Sequence, residues 1–177
     1  MISPSLVTSS FPAIKEFISK HKKVILKPLD GMAGNGIFMV TNADKNLNVI
    51  LETMIGDFNH SIMVQKFIPE ISEGDTRIIL INGEPLPYGL VRIPRSDEIR
   101  ANLAKGGAGI IRKINKNDEI IINRIKPYLI EKNLNFVGVD VIGPYLTEIN
   151  ITSPTGLVEI QNQSNINYAE FIINALQ

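Results

Sequence analysis

A glycine-rich loop between two short apolar runs constrains the fold of this chain more than any other feature. The first run covers residues 24–26 and leads into Lys27, and the second covers residues 37–40. Short apolar runs bounded by glycine are typical of buried strands, so the pattern predicts two adjacent strands joined by a hairpin loop. The loop itself carries Gly31, Gly34 and Gly36.

The loop also has the chemistry of a phosphate site. Glycine lets backbone N–H groups approach a phosphate closely, and the amine of Lys27 would add a positive charge beside them. The loop is not of the Walker type, because Gly-Lys-Ser/Thr does not follow it, and the strand that follows argues against a dinucleotide fingerprint. We therefore expect a flap over the phosphates of a nucleoside triphosphate. A flexible hairpin turn without a ligand is the alternative.

Three polar residues interrupt two strongly apolar strands near the C-terminal end. Glu148 and Asn150 are two residues apart on one strand, so their side chains point to the same face. A three-residue connection at 143–145 would place Asp140 of the preceding strand opposite Glu148. Two carboxylates and an amide oxygen are ligands that Mg²⁺ prefers beside phosphate oxygens, which predicts a metal site. A solvated sheet face is the alternative, but a carboxylate pair on strands this apolar needs a cation or shared protons.

Three arginines are candidates for an anion site. Arg77 lies on a predicted strand, Arg92 ends the next strand, and Arg100 lies in the loop that follows. Arginine binds carboxylates through two parallel hydrogen bonds, so the set indicates an anionic co-substrate. Arg77, two residues after Asp75, could also stabilise a phosphoryl group in transfer. Taken singly, each arginine is more simply interpreted as a surface charge.

A weaker indication comes from the end of a predicted buried strand at 62–67. Backbone groups at this end could meet the edge of an adenine ring, and Asp75 beyond it could meet a ribose. The residues concerned are Gln65, Lys66, Phe67 and Ile68. On the residues alone, an ordinary strand end explains the segment better.

The order of the elements predicts an α+β fold with helices packed against antiparallel sheets. Asn82-Gly83 predicts a hairpin, because both residues tolerate the positive φ of a two-residue turn. Residues 94–112 show no period and contain a glycine cluster, which predicts a long loop. Strands are expected at 24–27, 37–40, 62–67, 76–81, 84–93, 136–142 and 146–151, and helices after Ser10 and at 47–54, 118–132 and 165–176.

Charge and composition exclude several classes of protein. The 177 residues contain 18 Lys plus Arg and 18 Asp plus Glu, so no bulk charge favours nucleic acid or an anionic membrane. Cysteine is absent, which removes a disulfide framework and a thiol nucleophile and fits a reducing cytoplasm. No apolar run reaches membrane-spanning length, and the N-terminus lacks a signal-peptide pattern. A homo-oligomer is compatible with the sequence, which does not determine the oligomeric state.

These motifs together resemble those of the bacterial glutathione synthetases, which are ATP-grasp ligases. The similarity keeps the same order over essentially the whole chain. The matching segments are residues 25–32, 83–88, 92–94, 100–104, 106–107, 136–143 and 146–155. The resemblance implies an ATP-grasp fold and a reaction in which ATP phosphorylates γ-glutamylcysteine and glycine attacks the acyl phosphate to give glutathione.

The resemblance also implies a role for each candidate residue. Lys27 would contact the ATP phosphates under the loop 31–36, residues 65–68 would face adenine, and Asp75 would face the ribose or a nearby group. Magnesium, or manganese in its place, would be held by Asp140, Glu148 and Asn150. The peptide substrate and the acyl phosphate would be served by Arg77, Arg92, Arg100, Asn102, Gly106, Gly107 and Ser153. Residues 94–112 would form a lid that keeps water from the acyl phosphate.

The resemblance indicates two departures as well. The bacterial enzymes carry an N-terminal domain before the matched region, so we expect an ATP-grasp region alone, with a small lobe at about 1–65 and a larger lobe at about 66–177. Ala108 stands where relatives often carry a basic residue. Two alternatives stay open, which are a fragment that binds ATP without turnover and an ATP-grasp ligase that joins a different peptide.

Overall fold

Two antiparallel sheets with separate hydrophobic cores organise the chain. The computed structural model describes residues 1–31, 34–57, 59–95, 101 and 108–176. Contacts divide the chain into two units, Ile2–Pro69 and Glu70–Gln177, and Met1 belongs to the second. None of the helices in the described residues has the length and apolar character needed to cross a membrane.

The first unit is a four-stranded sheet with two helices. Its elements are β1 (Ser5–Thr8), α1 (Phe11–His21), β2 (Lys23–Pro28), β3 (Phe38–Thr41), α2 (Leu47–Ile55) and β4 (Ile62–Lys66). The strands lie in the order β1-β4-β2-β3, and every neighbouring pair is antiparallel. The predicted pairing of the strands on either side of the glycine-rich loop is therefore confirmed.

Alternation along these strands separates an inner from an outer sheet face. The inner residues form one core with α1 and α2, made of Ile14, Ile18, Val24, Leu26, Val40, Leu47, Leu51, Ile55, Ile62 and Val64. Because successive strand residues point to opposite faces, Lys27 and Gln65 lie on the outer face. Helix α1 starts after Ser10 as predicted, since the Ser10 hydroxyl accepts a hydrogen bond from the N–H of Ala13 at 3.4 Å.

The second unit is a larger antiparallel sheet with three helices. After a short 3-10 helix (Pro69–Glu73) come β5 (Asp75–Ile81), β6 (Glu84–Pro85), β7 (Tyr88–Ile93), β8 (Ala108–Lys113), α3 (Lys116–Glu131), β9 (Phe136–Ile142), β10 (Tyr145–Asn150), α4 (Leu157–Ser164) and α5 (Tyr168–Leu176). The strand order is β10-β9-β5-β7-β8, and β6 pairs with β5 outside this path. The α+β class with antiparallel sheets and flanking helices is confirmed.

The second sheet has a core on each face. The α3 face is lined by Ile78, Leu80, Val137, Val139, Val141 and Leu146. The opposite face meets α4 and α5 through Ile79, Ile81, Leu90, Ile160 and Tyr168. Alternation therefore puts Asp75, Arg77 and Asp140 on the same face as α4 and α5, at the end of the strands where apolar residues give way to charged ones.

One predicted strand and one predicted loop are corrected. The single strand expected at 84–93 is the two strands β6 and β7, because Pro87 between them has no N–H to donate to a ladder. The loop expected at 94–112 is shorter, because residues 108–112 belong to β8, which pairs with β7 and puts Gly109 opposite Arg92. Residues 96–100 and 102–107 of that loop lie outside the described residues.

Candidate functional site

Arg77, Asp140 and Glu148 lie side by side on three neighbouring strands of the second unit. The register pairs Arg77 of β5 with Asp140 of β9, and Asp140 with Glu148 of β10. The predicted pairing of Asp140 with Glu148 is therefore confirmed. Three charged side chains reach one level of one sheet face, although 71 positions separate the first from the last in the sequence.

The connection between β9 and β10 differs from the prediction. A three-residue connection at 143–145 is wrong, because β10 already begins at Tyr145 and leaves a two-residue turn. The register then shifts at Thr147, a β-bulge whose Oγ1 donates to the backbone oxygen of Asp140 at 3.1 Å. The extra residue in the bulge compensates for the shorter turn, so Glu148 still lies opposite Asp140.

Asp140 is the centre of a buried ion-pair cluster. The residue is 1% exposed, and its carboxylate is bound by two guanidinium groups. Arg77 donates from Nε to Oδ1 at 2.5 Å and from Nη2 to Oδ2 at 2.7 Å, and Arg92 Nη2 lies 2.8 Å from Oδ2. Removing a charge from water costs several kcal/mol unless it is paired, so the two arginines make this buried position tolerable.

Arg92 also pairs with Asp75, which lies opposite it on β5. Nη2 donates to Asp75 Oδ2 at 2.5 Å, while Oδ1 is buried and makes no hydrogen bond with any residue that the structure describes. Burial, and next the charge of Asp140, raise the pKa of Asp75 to about 7, although Arg92 and Arg77 oppose the shift. Burial lowers the pKa of Arg92, but the charges of Asp75 and Asp140 outweigh it and leave that pKa raised. The ribose contact expected for Asp75 stays a prediction.

Glu148 and Asn150 complete the polar face. In the amide orientation that satisfies its neighbours, Asn150 donates to Glu148 Oε1 at 2.8 Å and accepts from Arg77 Nη2 at 3.2 Å. Glu148 is exposed, Asn150 is half-buried and Asp140 is buried. The three oxygen-bearing groups therefore lead from solvent into the sheet.

The chemistry of this donor set fits a divalent cation. Carboxylate and amide oxygens are hard ligands, and Mg²⁺ commonly takes one or two carboxylates together with phosphate oxygens. The oxygens of Asp140 are already bound by arginines, so Glu148 is the group most open to a metal. In the described ranges no three His, Cys, Asp or Glu side chains gather around a potential metal position. A bound phosphate would therefore have to complete the ligand shell, and the metal site stays a prediction.

Gly138 makes room for Arg77. A Cβ atom at this position would lie 2.6 Å from Pro154 Cβ and 3.1 Å from Arg77 Cδ. Arg77 passes over Gly138, and its Nη1 donates to the backbone oxygen of Thr155 at 3.3 Å. Ser153, which is expected to serve the substrate, is exposed beside the buried Pro154.

A separate polar group lies on the outer face of the first sheet. Lys27 Nζ donates to Gln65 Oε1 at 2.9 Å, and Gln65 Nε2 donates to Ser5 Oγ at 3.2 Å. In the loop after Lys27, Gly34 and Gly36 have φ angles of 74° and 69°, which other residues rarely adopt. Backbone conformation alone therefore explains why glycine occupies these two positions. Phosphate binding by Lys27 and by the loop that includes Gly31 stays a prediction.

The four residues expected at adenine differ in exposure. Gln65 and Ile68 are buried, whereas Lys66 is exposed. The half-buried ring of Phe67 has the amine of Lys23 at 5.0 Å from its centroid, a cation–π contact. An adenine contact by this segment stays a prediction.

Four other predicted site residues, Arg100, Asn102, Gly106 and Gly107, lie outside the described residues. Their expected roles toward the substrate and the acyl phosphate therefore stay predictions.

A second ion pair, in which the acid is buried and the arginine is partly exposed, was not expected from the sequence. Asp118, in the first turn of α3, is 0% exposed and accepts hydrogen bonds from Arg112 of β8 at 2.5 and 3.0 Å. Arg112 Nη2 also donates at 3.1 Å to Thr76 Oγ1, which lies between two cluster residues in the chain. The spacing of Asn115 and Asp118 is a capping-box pattern that marks the acid, but no local signal marks Arg112 as its partner.

Several known sequences are similar to this chain. The family model described as "Prokaryotic glutathione synthetase, ATP-grasp domain" matches residues 1–165. A glutathione synthetase of Nitrosomonas europaea is 50% identical over 174 residues, which are 98% of this chain and 54% of that protein. A glutathione synthetase of Coxiella burnetii is 47% identical over 173 residues, which are 98% of this chain and 54% of that protein. The chain thus spans about half the length of the curated relatives it matches.

Solved structures with a similar fold are more distant in sequence. D-cycloserine synthetase DcsG has a TM-score of 0.75 at 11% identity and covers 99% of this chain, with 64% of its own chain covered. D-alanine–D-alanine ligase from Bacillus anthracis has a TM-score of 0.64 at 16% identity, with 99% and 60% of the two chains covered. At these identities the similarity concerns the fold alone.

Proposed function

This chain belongs to the family of prokaryotic glutathione synthetase ATP-grasp domains, and from that premise we propose that it is the ATP-binding catalytic region of a carboxylate–amine ligase. In the proposed reaction ATP phosphorylates the carboxylate of γ-glutamylcysteine. The amine of glycine then displaces phosphate from the acyl phosphate, which leaves glutathione, ADP and phosphate. The chain spans about half the length of its relatives, and we propose this activity and these substrates for the whole protein.

The observation that carries the proposal is the buried carboxylate of Asp140 held between two arginines beside Glu148. Positive charges fixed by packing stabilise negative charge that develops during acyl or phosphoryl transfer, and they need no reorganisation when the charge appears. Arg77 donates to Asp140 and Thr155, which hold it in place, and we assign it to the peptide substrate and the acyl phosphate. We assign Arg92 to stabilising the acyl phosphate, together with Arg100.

Glu148, Asn150 and Asp140 would hold magnesium or manganese, which when bound neutralises phosphate charge and orients the transferred group. The rest of the chemistry needs no protein nucleophile, which agrees with the absence of cysteine. Apart from the metal, catalysis would rest on positioning and on electrostatic stabilisation by the chain's own charges.

In the first unit we assign Lys27 to the ATP phosphates, the loop with Gly31, Gly34 and Gly36 to covering them, and residues 65–68 to adenine. The half-buried Lys27 on the outer sheet face and the positive φ angles of Gly34 and Gly36 support this assignment. We further propose a cytoplasmic location, with no nucleic acid and no membrane as partner, and a homo-oligomer is compatible with this proposal.

Titration calorimetry of the chain with Mg-ATP tests the nucleotide part. We expect saturable binding that the substitution Lys27→Met weakens about tenfold, because one charge-assisted contact to phosphate is lost. The exposed Lys15 of α1 offers a matched control, and Lys15→Met should leave the affinity unchanged. Equal affinities of the wild type and Lys27→Met would contradict the assignment.

Phosphate release tests the ligase part. The chain is joined to the N-terminal region of the Nitrosomonas europaea relative and assayed with γ-glutamylcysteine, glycine and Mg-ATP. We expect release that depends on both substrates and falls about 100-fold or more in Arg92→Met, because a preorganised charge is removed. The exposed Arg124 of α3 supplies the control Arg124→Met. A chimera that binds Mg-ATP but releases no substrate-dependent phosphate would favour a non-catalytic module, and faster turnover with another amino acid would indicate a different peptide ligase.

A further inference from the structure

Three polar side chains form a continuous line across the outer face of the first sheet. The register places Ser5 of β1 opposite Gln65 of β4, and Gln65 opposite Ile25 of β2. Lys27 is two residues beyond Ile25 on the same strand, so it is the diagonal neighbour of Gln65 on that face. We call Ser5, Gln65 and Lys27 the outer-face relay.

The direction of each hydrogen bond in the outer-face relay follows from which groups can donate. The Ser5 hydroxyl donates its single proton to the backbone oxygen of Ser3 at 2.8 Å, which leaves its oxygen as an acceptor. Gln65 Nε2 donates to this oxygen at 3.2 Å. The amide oxygen of Gln65 is thereby directed toward the amine of Lys27, which donates to it at 2.9 Å.

The far end of the outer-face relay is fixed by backbone contacts. Ser3 is buried, and its own hydroxyl donates to the backbone oxygen of Lys66 at 3.1 Å. The N–H of Lys66 in turn donates to the backbone oxygen of Pro4 at 2.9 Å. Gln65 itself is 4% exposed, so turning its amide would leave a buried donor facing a donor, which is costly. The position of the Gln65 amide oxygen is therefore determined before any ligand arrives.

We propose that Ser5 and Gln65 are positioning residues that direct the Lys27 amine toward a nucleotide phosphate. The inference rests on the proposed function, in which Lys27 contacts ATP, and it gives the Gln65 side chain a task in phosphate binding that the sequence did not indicate. An ammonium group has three N–H donors, and the bond to Gln65 uses one of them. Holding a flexible lysine in place beforehand lowers the entropy lost on binding, which improves affinity.

Four variants test the inference. Gln65→Met removes both hydrogen bonds at nearly constant volume, and Gln65→Glu keeps an acceptor for Lys27. Ser5→Ala removes the group that orients the amide. The exposed Ser61 before β4 supplies the matched control Ser61→Ala. Ser5 is exposed, so Ser5→Ala carries the test if Gln65→Met proves unfolded by circular dichroism.

The first measurement needs no nucleotide. Acetylation of Lys27 by an amine reagent is followed by mass spectrometry, with the exposed Lys45 of the same molecule as reference. We expect Gln65→Met to speed labelling of Lys27 about threefold or more, since an amine released from a hydrogen bond is more accessible. Gln65→Glu and Ser61→Ala should stay at the wild-type rate or below. An unchanged rate in both Gln65→Met and Ser5→Ala overturns the inference.

The second measurement is the dissociation constant of Mg-ATP by calorimetry. We expect it to rise about tenfold in Gln65→Met and about threefold in Ser5→Ala, and to recover to within about threefold of wild type in Gln65→Glu. Faster labelling with unchanged affinity overturns the positioning role. A wild-type chain that binds no Mg-ATP overturns the proposed nucleotide site, and the labelling measurement then separately decides whether the outer-face relay restrains Lys27.

Discussion

The carboxylate of Asp75 lies among charges of both signs, and burial decides which protonation state it prefers. Its side chain is 17% exposed, and its pKa is raised from 3.8 to about 7. A raised pKa means that the folded protein holds a proton that the unfolded chain releases. The stability gained from this proton is fully present below pH 3.8 and is lost as the pH rises to about 7.

We therefore expect Asp75→Asn to flatten the pH dependence of stability, because asparagine stays neutral at every pH. Between about pH 5 and pH 8 the wild type should lose on the order of 2 kcal/mol of unfolding free energy more than the variant does. Urea denaturation at both pH values measures this difference. The exposed Asp57 supplies the control Asp57→Asn, and equal slopes for wild type and Asp75→Asn would disprove the expectation.

Gly138 is the other residue on which the cluster depends. Gly138→Ala would force a Cβ atom to 2.6 Å from Pro154 Cβ, in a place where a rigid ring cannot yield. We expect a loss of about 1–3 kcal/mol of unfolding free energy, as for other overpacked cores. Denaturant unfolding measures it, and the double variant Gly138→Ala/Pro154→Ala should be less unstable than the sum of its single changes. Strict additivity would show that Pro154 is not the obstacle.

At the scale of elements, the pair Arg112–Asp118 connects strand β8 to helix α3. Asp118 also accepts from the N–H of Asn115 at 2.9 Å, so one carboxylate both caps the helix and anchors the strand. The hydrogen bond from Arg112 to Thr76 extends the connection to β5. The buried acid thus joins the consecutive elements β8 and α3, and Arg112 extends the connection to β5, which lies earlier in the chain.

Removal of that acid should be costly. We expect Asp118→Ala to lower the free energy of unfolding by about 3 kcal/mol, because the guanidinium of Arg112 loses its buried partner and the helix loses its capping box. The more exposed pair Lys126–Glu84 offers a comparison, and Glu84→Ala should lower the free energy of unfolding by less than about 1 kcal/mol. Thermal or urea unfolding of both variants measures the contrast, which equal losses would refute.

Local patterns predicted the elements whose signals are short-range. The hairpin at Asn82-Gly83, helix α1 after Ser10 and the strands on either side of the glycine-rich loop each have turn or cap residues within a few positions. Strand β8 escaped prediction because glycines obscured its alternation and its stability comes from pairing with β7. Strand β1 and helix α4 are only 4 and 8 residues long, too short for a clear period.

The candidate site divides in the same way. Spacing alone predicted that Asp140 faces Glu148, since both lie within one hairpin. The two arginines that bind Asp140 come from β5 and β7, and only the paired sheet shows that they meet it. The orphaned oxygen and raised pKa of Asp75 depend on burial, which no sequence spacing encodes.

At the scale of the whole molecule, the ATP-grasp fold expected from the resemblance is confirmed by the family match and by the solved structures. The 177 residues correspond to about half of a bacterial glutathione synthetase.

Nucleotide binding should stabilise the whole chain. A ligand present at about 100 times its dissociation constant adds about 2.7 kcal/mol, which for a chain of this length raises the melting temperature by about 5–10 °C. We expect Mg-ATP to produce such a shift in scanning calorimetry and EDTA to reduce it. Glu148→Gln should keep the melting temperature of the ligand-free chain but reduce the shift, whereas the exposed Glu119 provides the control Glu119→Gln. A shift unaffected by EDTA and by Glu148→Gln would contradict a metal at this position.

The bulge at Thr147 has a consequence for how this hairpin can change over time. In a regular strand, the side chains of Leu146 and Glu148 would point to the same sheet face. Because of the bulge, Leu146 packs in the hydrophobic core, whereas Glu148 lies opposite Asp140 on the other face. A descendant lacking Thr147 could keep both neighbours in their present surroundings. A variant of the same length that paired without the bulge would turn Glu148 to the other sheet face, into the hydrophobic core under α3. Deletion of Thr147 should therefore destabilise the hairpin less than a change of register that removes the bulge.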